Sequence, residues 1–331
     1  MKKIQTLIIL IFLCIFNGFA QNPNLGTSGA QFLKIPIGAQ SAALGGAVTG
    51  IVDDANAVFW NPAGLSKVKS NAVHFSYMRW FDMFDVNAAA FVRNFESIGT
   101  FGIGILVFKT DKMEITTENE PNGTGRFFDA QDISLGLSYS RFLTDYFSAG
   151  ITLKYIHQRI WDETANGIAF DVGTQYQVEF QNLIIAMSMT NFGADMKMEG
   201  PDLSVKYDPD QFLQNRLIPS NYETEYYPLP LNFQFGLSFD VFDSRYLKIR
   251  GSVDAVHPND NNERIQFGAE TAVFDRLYLR GGYKLNHDDE DLNFGAGFRS
   301  NFGTFLIKID YAYSFYDILP DVQFISIGLE F

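Results

Sequence analysis

The sequence predicts an all-β protein: an antiparallel transmembrane β-barrel of about fourteen strands, with an N-terminal plug segment folded into its lumen. Three observations predict it. The last eleven residues, Asp321 to Phe331, alternate strictly, with Ile325, Ile327, Leu329 and Phe331 on one face and Ser326, Gly328 and Glu330 on the other. A period of two with one apolar face is the signature of a half-buried strand. The first twenty residues read as a secretory leader. Between the two ends, alternating segments are joined by short turns on one side and, for the most part, longer polar connections on the other, as in outer-membrane barrels.

Residues 1–20 come first. Met1-Lys2-Lys3 is positive, Ile4 to Phe16 is apolar apart from Gln5 and Thr6, and Asn17-Gly18-Phe19-Ala20 supplies small residues before a cleavage expected ahead of Gln21. The apolar run is too short for a spanning helix. Cys14 is the one cysteine and lies in this leader, so the mature chain has no thiol, disulfide or cysteine metal site.

Residues 21–70 do not alternate. They contain Gln31-Phe32-Leu33-Lys34-Ile35-Pro36, an Ala/Gly-rich stretch from Ala42 to Ala47, then Asp53-Asp54 and Trp60-Asn61-Pro62-Ala63-Gly64. The small residues would let backbone pack closely, and Asn61-Pro62 is a helix-start or turn signal. Ahead of a closed barrel, this stretch is expected to fold inward as a plug.

Residues 71–331 are expected to be the barrel. Phe147, Ala149, Ile151, Leu153 and Tyr155 share one parity, and so do Phe233, Phe235, Leu237, Phe239 and Val241. Short turns are expected near Asn94–Ser97, Leu143–Tyr146, Glu179–Asn182, Phe242–Arg245, Phe274–Arg276 and Ser300–Gly303. The other side is expected to carry Glu114–Asp129, Trp161–Ala165, Gly193–Pro228, His257–Asn262, His287–Glu290 and Asp317–Pro320. An even strand number returns both ends to the periplasm. The closing strand would pair with the first, near Asn71–Trp80. Phe331 would then sit at the periplasmic rim, with Gly328 and Glu330 next to the Asn61–Gly64 block. Gly193–Pro228 is long enough to act as an external lid or partner surface, or simply as a solvated loop.

Composition agrees. Aromatic residues make up 15% of the chain, with 33 Phe and 15 Tyr, and the net charge of −13 becomes more negative once Lys2 and Lys3 leave. That acidity excludes the basic patch nucleic acid requires.

The residues show no catalytic constellation, so no enzyme activity and no cofactor are expected. His74, His157, His257 and His287 lack ligand spacing, and the acidic run His287 to Asp291 lacks the order of a calcium loop. Parity places Lys154, Asp171, Asp240, Lys248, Arg250, Asp254, Glu270, Arg280, Lys284, Arg299, Lys308, Asp310 and Glu330 in the lumen. With both signs on neighbouring strands, cross-strand ion pairs are expected. They would brace the barrel and hold the plug, or alternatively line a selective pore.

Together, the Phe32-Leu33 pair, the Ala42–Ala47 segment, Asp53-Asp54 and Trp60-Asn61-Pro62-Ala63-Gly64, followed by the alternating barrel, resemble the FadL-like outer-membrane family. Within it they more closely resemble the PorV/PorQ group associated with type IX secretion. The resemblance implies a fourteen-stranded outer-membrane barrel with its N-terminal segment in the lumen. It implies, for the PorV/PorQ branch, non-catalytic binding or shuttling of secreted cargo or translocon partners. For the FadL branch it implies passage of hydrophobic small molecules. Asp53, Asp54, Asn61, Pro62, Ala63 and Gly64 are the candidate ligand- or partner-binding residues. The partners expected are outer-membrane lipid with either secretion proteins or a hydrophobic small molecule.

Overall fold

The computed structural model describes residues 24–207 and 218–331; the leader, together with Asp208 and Asp210 of the long external connection, lies outside them. The described residues form eighteen strands. The first nine are β1 (Asn71–Trp80), β2 (Phe84–Asn94), β3 (Thr100–Thr110), β4 (Met113–Glu114), β5 (Phe127–Phe128), β6 (Ala130–Phe142), β7 (Phe147–Ile160), β8 (Glu163–Val178) and β9 (Leu183–Gly193). The rest are β10 (Ser204–Tyr207), β11 (Ile218–Asn221), β12 (Asn232–Asp243), β13 (Leu247–Pro258), β14 (Arg264–Val273), β15 (Leu277–Leu285), β16 (Glu290–Phe302), β17 (Phe305–Tyr316) and β18 (Val322–Glu330). Fourteen of them close a barrel; β4–β5 and β10–β11 are two-stranded hairpins outside it.

Closure is made by β1 against β18, antiparallel, with Ala72 opposite Glu330 and Phe75 opposite Ile327. The Asn71 and Phe331 backbones exchange both hydrogen bonds at 3.0 Å. A closed ring leaves no open strand edge in the wall, which a bilayer demands.

Side chains divide by parity as lipid outside and a packed lumen inside require. On β18, Ile325 and Ile327 face outward at 48% exposure each, while Val322, Phe324 and Ser326 are buried. On β7, Ile151, Leu153 and Tyr155 face out, and Thr152, Lys154 and Ile156 face in. Phe95, Tyr146, Phe180, Tyr246, Phe274 and Phe302 are all exposed and ring the rim that carries the short turns, the aromatic girdle of a membrane interface. That rim is the periplasmic one.

Two of the connections differ from the sequence expectation. The β1–β2 connection, Phe81–Met83, is external yet only three residues long. It has no Gly, Pro or Asn to announce it; Phe81 and Asp82 adopt φ of 50° and 58° themselves. Hairpin turns of this hand need positive φ at both central positions. The β7–β8 connection is similarly tight, Glu163–Ala165 belonging to β8, so external connections are not uniformly long.

Candidate functional site

Residues 24–70 run down the inside of the barrel from its external end to its periplasmic end. Gly26 N–H bonds Asp260 O in the external β13–β14 connection at 3.1 Å, and Gly29 N–H bonds Pro228 O at 3.0 Å. Lys34 Nζ lies 3.0 Å from the Asp260 carboxylate, to which Gln31 Nε2 also donates. Burial alone would raise the Asp260 carboxyl; Gln31 and Lys34 outweigh it and hold it below the ordinary range.

The Ala/Gly stretch then packs on β15–β18. It forms the Ala39–Ala43 helix, whose first N–H donates to Ser326 Oγ at 2.8 Å. The wall beneath it is glycine by necessity: a Cβ on Gly282 would lie 2.2 Å from Gly45 N. Thr49 follows, donating from N and Oγ1 to Asp254 Oδ2 at 2.9 and 2.6 Å.

Asp54 is tied to the closing strands. Lys308 bridges it, at 3.4 Å, to Glu330, at 2.5 Å. Asp53, by contrast, is exposed.

The Asn61-Pro62-Ala63-Gly64 block is a helix cap set into the wall. Asn61 is fully buried; its Oδ1 accepts from Ala63 N–H at 3.1 Å, capping the 3-10 turn Pro62–Lys67 with Pro62 at its first position. Its Nδ2 donates to Thr49 O at 2.8 Å. Ala63 O accepts from Ser66, Ser140 and Ser148. On the wall, a Cβ at Gly150 would fall 2.5 Å from Pro62 C, and one at Gly173 would fall 1.9 Å from Asn61 Oδ1. The expected neighbourhood of this block is therefore corrected. It packs on β6, β7 and β8, not beside Gly328 and Glu330, because the glycine-lined hollow that admits it is on that wall. Glu330 instead reaches the segment through Lys308 and Asp54.

The other lumen charges form separate groups. Arg280 Nε lies 2.7 Å from Glu270 and its Nη1 lies 2.5 Å from Asp310. Arg250 pairs with Asp240 at 3.2 Å; Lys248, expected in the lumen, is corrected to the exposed periplasmic rim, where the strand end lets it reach Asp275 at 3.1 Å. Arg299 stacks on the Tyr278 ring, 4.0 Å from its centroid.

In the outer half of the lumen the packing is incomplete. A cavity of about 90 Å³ lies between the 33–37 stretch and the inner faces of strands from both sides of the barrel. Its apolar wall is Leu33, Ile35, Ile37, Phe59, Trp60 and Leu106. Its polar wall carries Lys34, Lys154, Arg264 and Lys284 with the amides of Asn191, Asn232, Gln234 and Gln266. Lys154 pairs with Asp171 at 2.7 Å and Lys284 with Glu290 at 2.6 Å.

A β-bulge shapes this wall. Between the Val172–Met189 and Phe170–Phe192 rungs, Thr190 and Asn191 together oppose Asp171. Asn191 adopts φ 63°, and its N–H donates to Asp171 Oδ1 at 2.8 Å in place of a ladder carbonyl. The extra residue turns both Thr190 and Asn191 toward the cavity, as bulges re-aim side chains.

Sequence reasoning placed Lys154 and Lys284 in the lumen but missed Arg264 and Gln266. The parity signal was present: Ile265 and Phe267 face outward, so Arg264 and Gln266 must face in. The candidate residues Asn61 to Gly64, Asp53 and Asp54 do not line the cavity; only their neighbour Trp60 does.

No protein-family model matches the sequence, and no curated protein matches it. Solved structures do match the fold. The Ralstonia pickettii toluene transporter TbuX aligns over 88% of this chain and 96% of its own, with a TM-score of 0.54 at 13% identity. A Pseudomonas aeruginosa FadL homologue aligns over 94% and 99%, with a TM-score of 0.55 at 12% identity. The fold is that of a FadL-like outer-membrane barrel. The Pseudomonas putida toluene transporter TodX has the same likeness to the barrel, with a TM-score of 0.53 at 12% identity over 87% of this chain and 95% of its own.

Proposed function

We propose that the chain is a non-enzymatic outer-membrane channel for a small molecule with an apolar body, and that residues 24–70 are its plug. The observation that carries this reading is the cavity in the outer half of the lumen, with apolar side chains of residues 33–37 and Phe59–Trp60 on one side and the buried Pro62–Ser66 turn packed against the wall nearer the periplasm. Small-molecule sites are typically such mostly apolar hollows with a few convergent polar groups. The similar structures named as toluene transporters support the same class of cargo.

Filling the cavity tests it. Ser134 lines the cavity from β6 and is buried. Ser134→Leu should reduce uptake of labelled toluene by cells expressing the barrel at least tenfold, with the barrel still heat-modifiable on gels. Undiminished uptake would remove the cavity from the route.

A second reading, a PorV/PorQ-like surface for secretion partners, is supported by the external 194–231 connection. That connection builds its own β10–β11 hairpin and is tied down by a Met196–Tyr227 bridge. Deleting residues 200–225 should abolish capture of secreted proteins from detergent-solubilised outer membrane if this reading holds, and leave toluene uptake intact.

A further inference from the structure

We propose that the cavity is built for a compact organic monoanion, whose charged oxygens are received by Arg264 and Gln266 while its apolar body rests on Phe59 and Trp60. This rests on the small-molecule reading above and names the cargo's chemistry within it.

Four cations line the cavity, Lys34, Lys154, Arg264 and Lys284, and no carboxylate does. Three of the four are neutralised from behind, by Asp260, Asp171 and Glu290. Arg264 makes no ion pair among the described residues, and its Nε is buried with no hydrogen-bond partner. Asp260 and Glu290 act on it only at longer range, already engaged with Lys34 and Lys284; Asp288 is exposed to solvent. Arg264 is therefore the one cavity cation with no carboxylate in ion-pair contact among the described residues.

Gln266 is the second observation. It is 4% exposed and lines the cavity, and its Oε1 has no partner. Asn232 Oδ1, on the same wall, is in the same condition. A buried amide or guanidinium atom without a partner is costly, and here such atoms border a hollow that a ligand can enter. Each of the two amides can turn to present N–H or C=O, so together with Arg264 they can receive either a carboxylate or its protonated acid. Guanidinium forks match carboxylate geometry in particular.

Size and orientation follow. About 90 Å³ accommodates a few heavy atoms, well short of an extended acyl chain. The apolar residues stand on the plug side and the cations mainly on the barrel wall, so a ligand with a charged end and an apolar end has one orientation. A neutral hydrocarbon would leave Arg264 unpaired; an inorganic anion would leave the Phe59 and Trp60 side unfilled.

The test is binding to the barrel in zwitterionic nanodiscs, by saturation-transfer NMR and calorimetry, with butyrate, butan-1-ol, toluene and inorganic phosphate as probes. Butyrate should bind at least tenfold more tightly than butan-1-ol or phosphate. Arg264→Gln should weaken butyrate at least tenfold and leave butan-1-ol unchanged. Arg299→Gln, which removes a guanidinium that does not line the cavity, should change neither. Gln266→Leu serves should Arg264→Gln fail to insert; it should weaken butyrate several-fold and strengthen butan-1-ol. Equal binding of butyrate and butan-1-ol, full butyrate binding by Arg264→Gln, or phosphate competing as well as butyrate would overturn the inference. Toluene binding that is undiminished while butyrate fails would overturn the anion alone and leave the small-molecule reading standing. Failure of all the organic probes would overturn both.

Discussion

The two halves of the lumen are built from the same alternating strands and packed in opposite ways. In the periplasmic half, Gly150 and Gly173 remove wall side chains so that Asn61, Pro62 and Ala63 sit against backbone, and each polar atom of Asn61 is used. In the outer half, the wall carries long side chains, a hollow stays open beside residues 33–37, and unpartnered polar atoms of Arg264, Gln266 and Asn232 belong to residues that border it. Close packing is what a seal needs. Polar atoms held ready around a hollow are what a binding site needs. A single strand serves both halves because its inward residues change from small to long along its length.

The largest effect should come from filling the inner half. Gly173→Val puts a branched side chain where a Cβ alone would stand 1.9 Å from Asn61 Oδ1. Overpacking of about 1–3 kcal/mol, with no room to relax, should dislodge the plug. The barrel should still insert, while planar-bilayer recordings show open-channel current that the wild type lacks. A silent Gly173→Val barrel would show that the seal does not depend on this contact.

Breaking the Asp54–Lys308–Glu330 bridge comes next. Lys308→Met leaves two carboxylates facing each other without their cation, a loss of about 3 kcal/mol for a largely buried pair. Heat-modifiability on gels should shift to lower temperature, and limited proteolysis should begin to cleave within residues 24–70. Asn61→Ala follows, removing a helix cap and the bond to Thr49 O, about 1–2 kcal/mol. Its cut rate by protease should rise while toluene binding in the outer half stays near wild type. A selective loss of toluene binding would instead return Asn61 to the ligand site.

The barrel was legible in the sequence because lipid imposes a period of two on every strand, and the parity of Ile325 or Leu153 follows from that alone. The lumen was legible only as a set of inward charges. Which of them meet is decided by register and by the path of the plug, and Ala42 to Ala47 carry no directional chemistry that would reveal the path. Asn61-Pro62 was readable as a turn or helix start; its burial against Gly150 and Gly173 joins residues a hundred positions apart and was not. Phe81 and Asp82 hid a hairpin turn because neither is a residue that usually adopts positive φ. Arg264 and Gln266 could have been found by extending the outward parity of Ile265 and Phe267 by one residue at each step.

The smallest expected effect is the pH dependence of the external connections. Asp260 titrates below its unfolded value, so its contribution to holding Lys34 and Gln31 is complete above the ordinary carboxylate range and is lost as pH falls through its lowered value. His287, on the external β15–β16 connection, is lowered to about 4 by burial, with Lys284 and Arg264 adding to it. The unfolded state therefore binds more protons between about pH 6.5 and 4, and the His287 connection should loosen as pH falls across that window. Hydrogen-exchange protection, taken relative to the intrinsic rate at each pH, should fall in residues 286–289 from pH 7 to pH 4.5 without falling in residues 61–67. A uniform loss of protection in both segments would dissolve the distinction between the halves.

The most direct test is equilibrium binding of toluene to the barrel and to its Ser134→Leu variant in nanodiscs, both with Trp80 and Trp161 changed to Phe so that the fluorescence followed is that of Trp60 at the cavity wall. The barrel with Ser134 should bind saturably at one site, and Ser134→Leu should bind at least tenfold more weakly while remaining folded. Equal binding by the two would contradict the assignment of the outer half as the site.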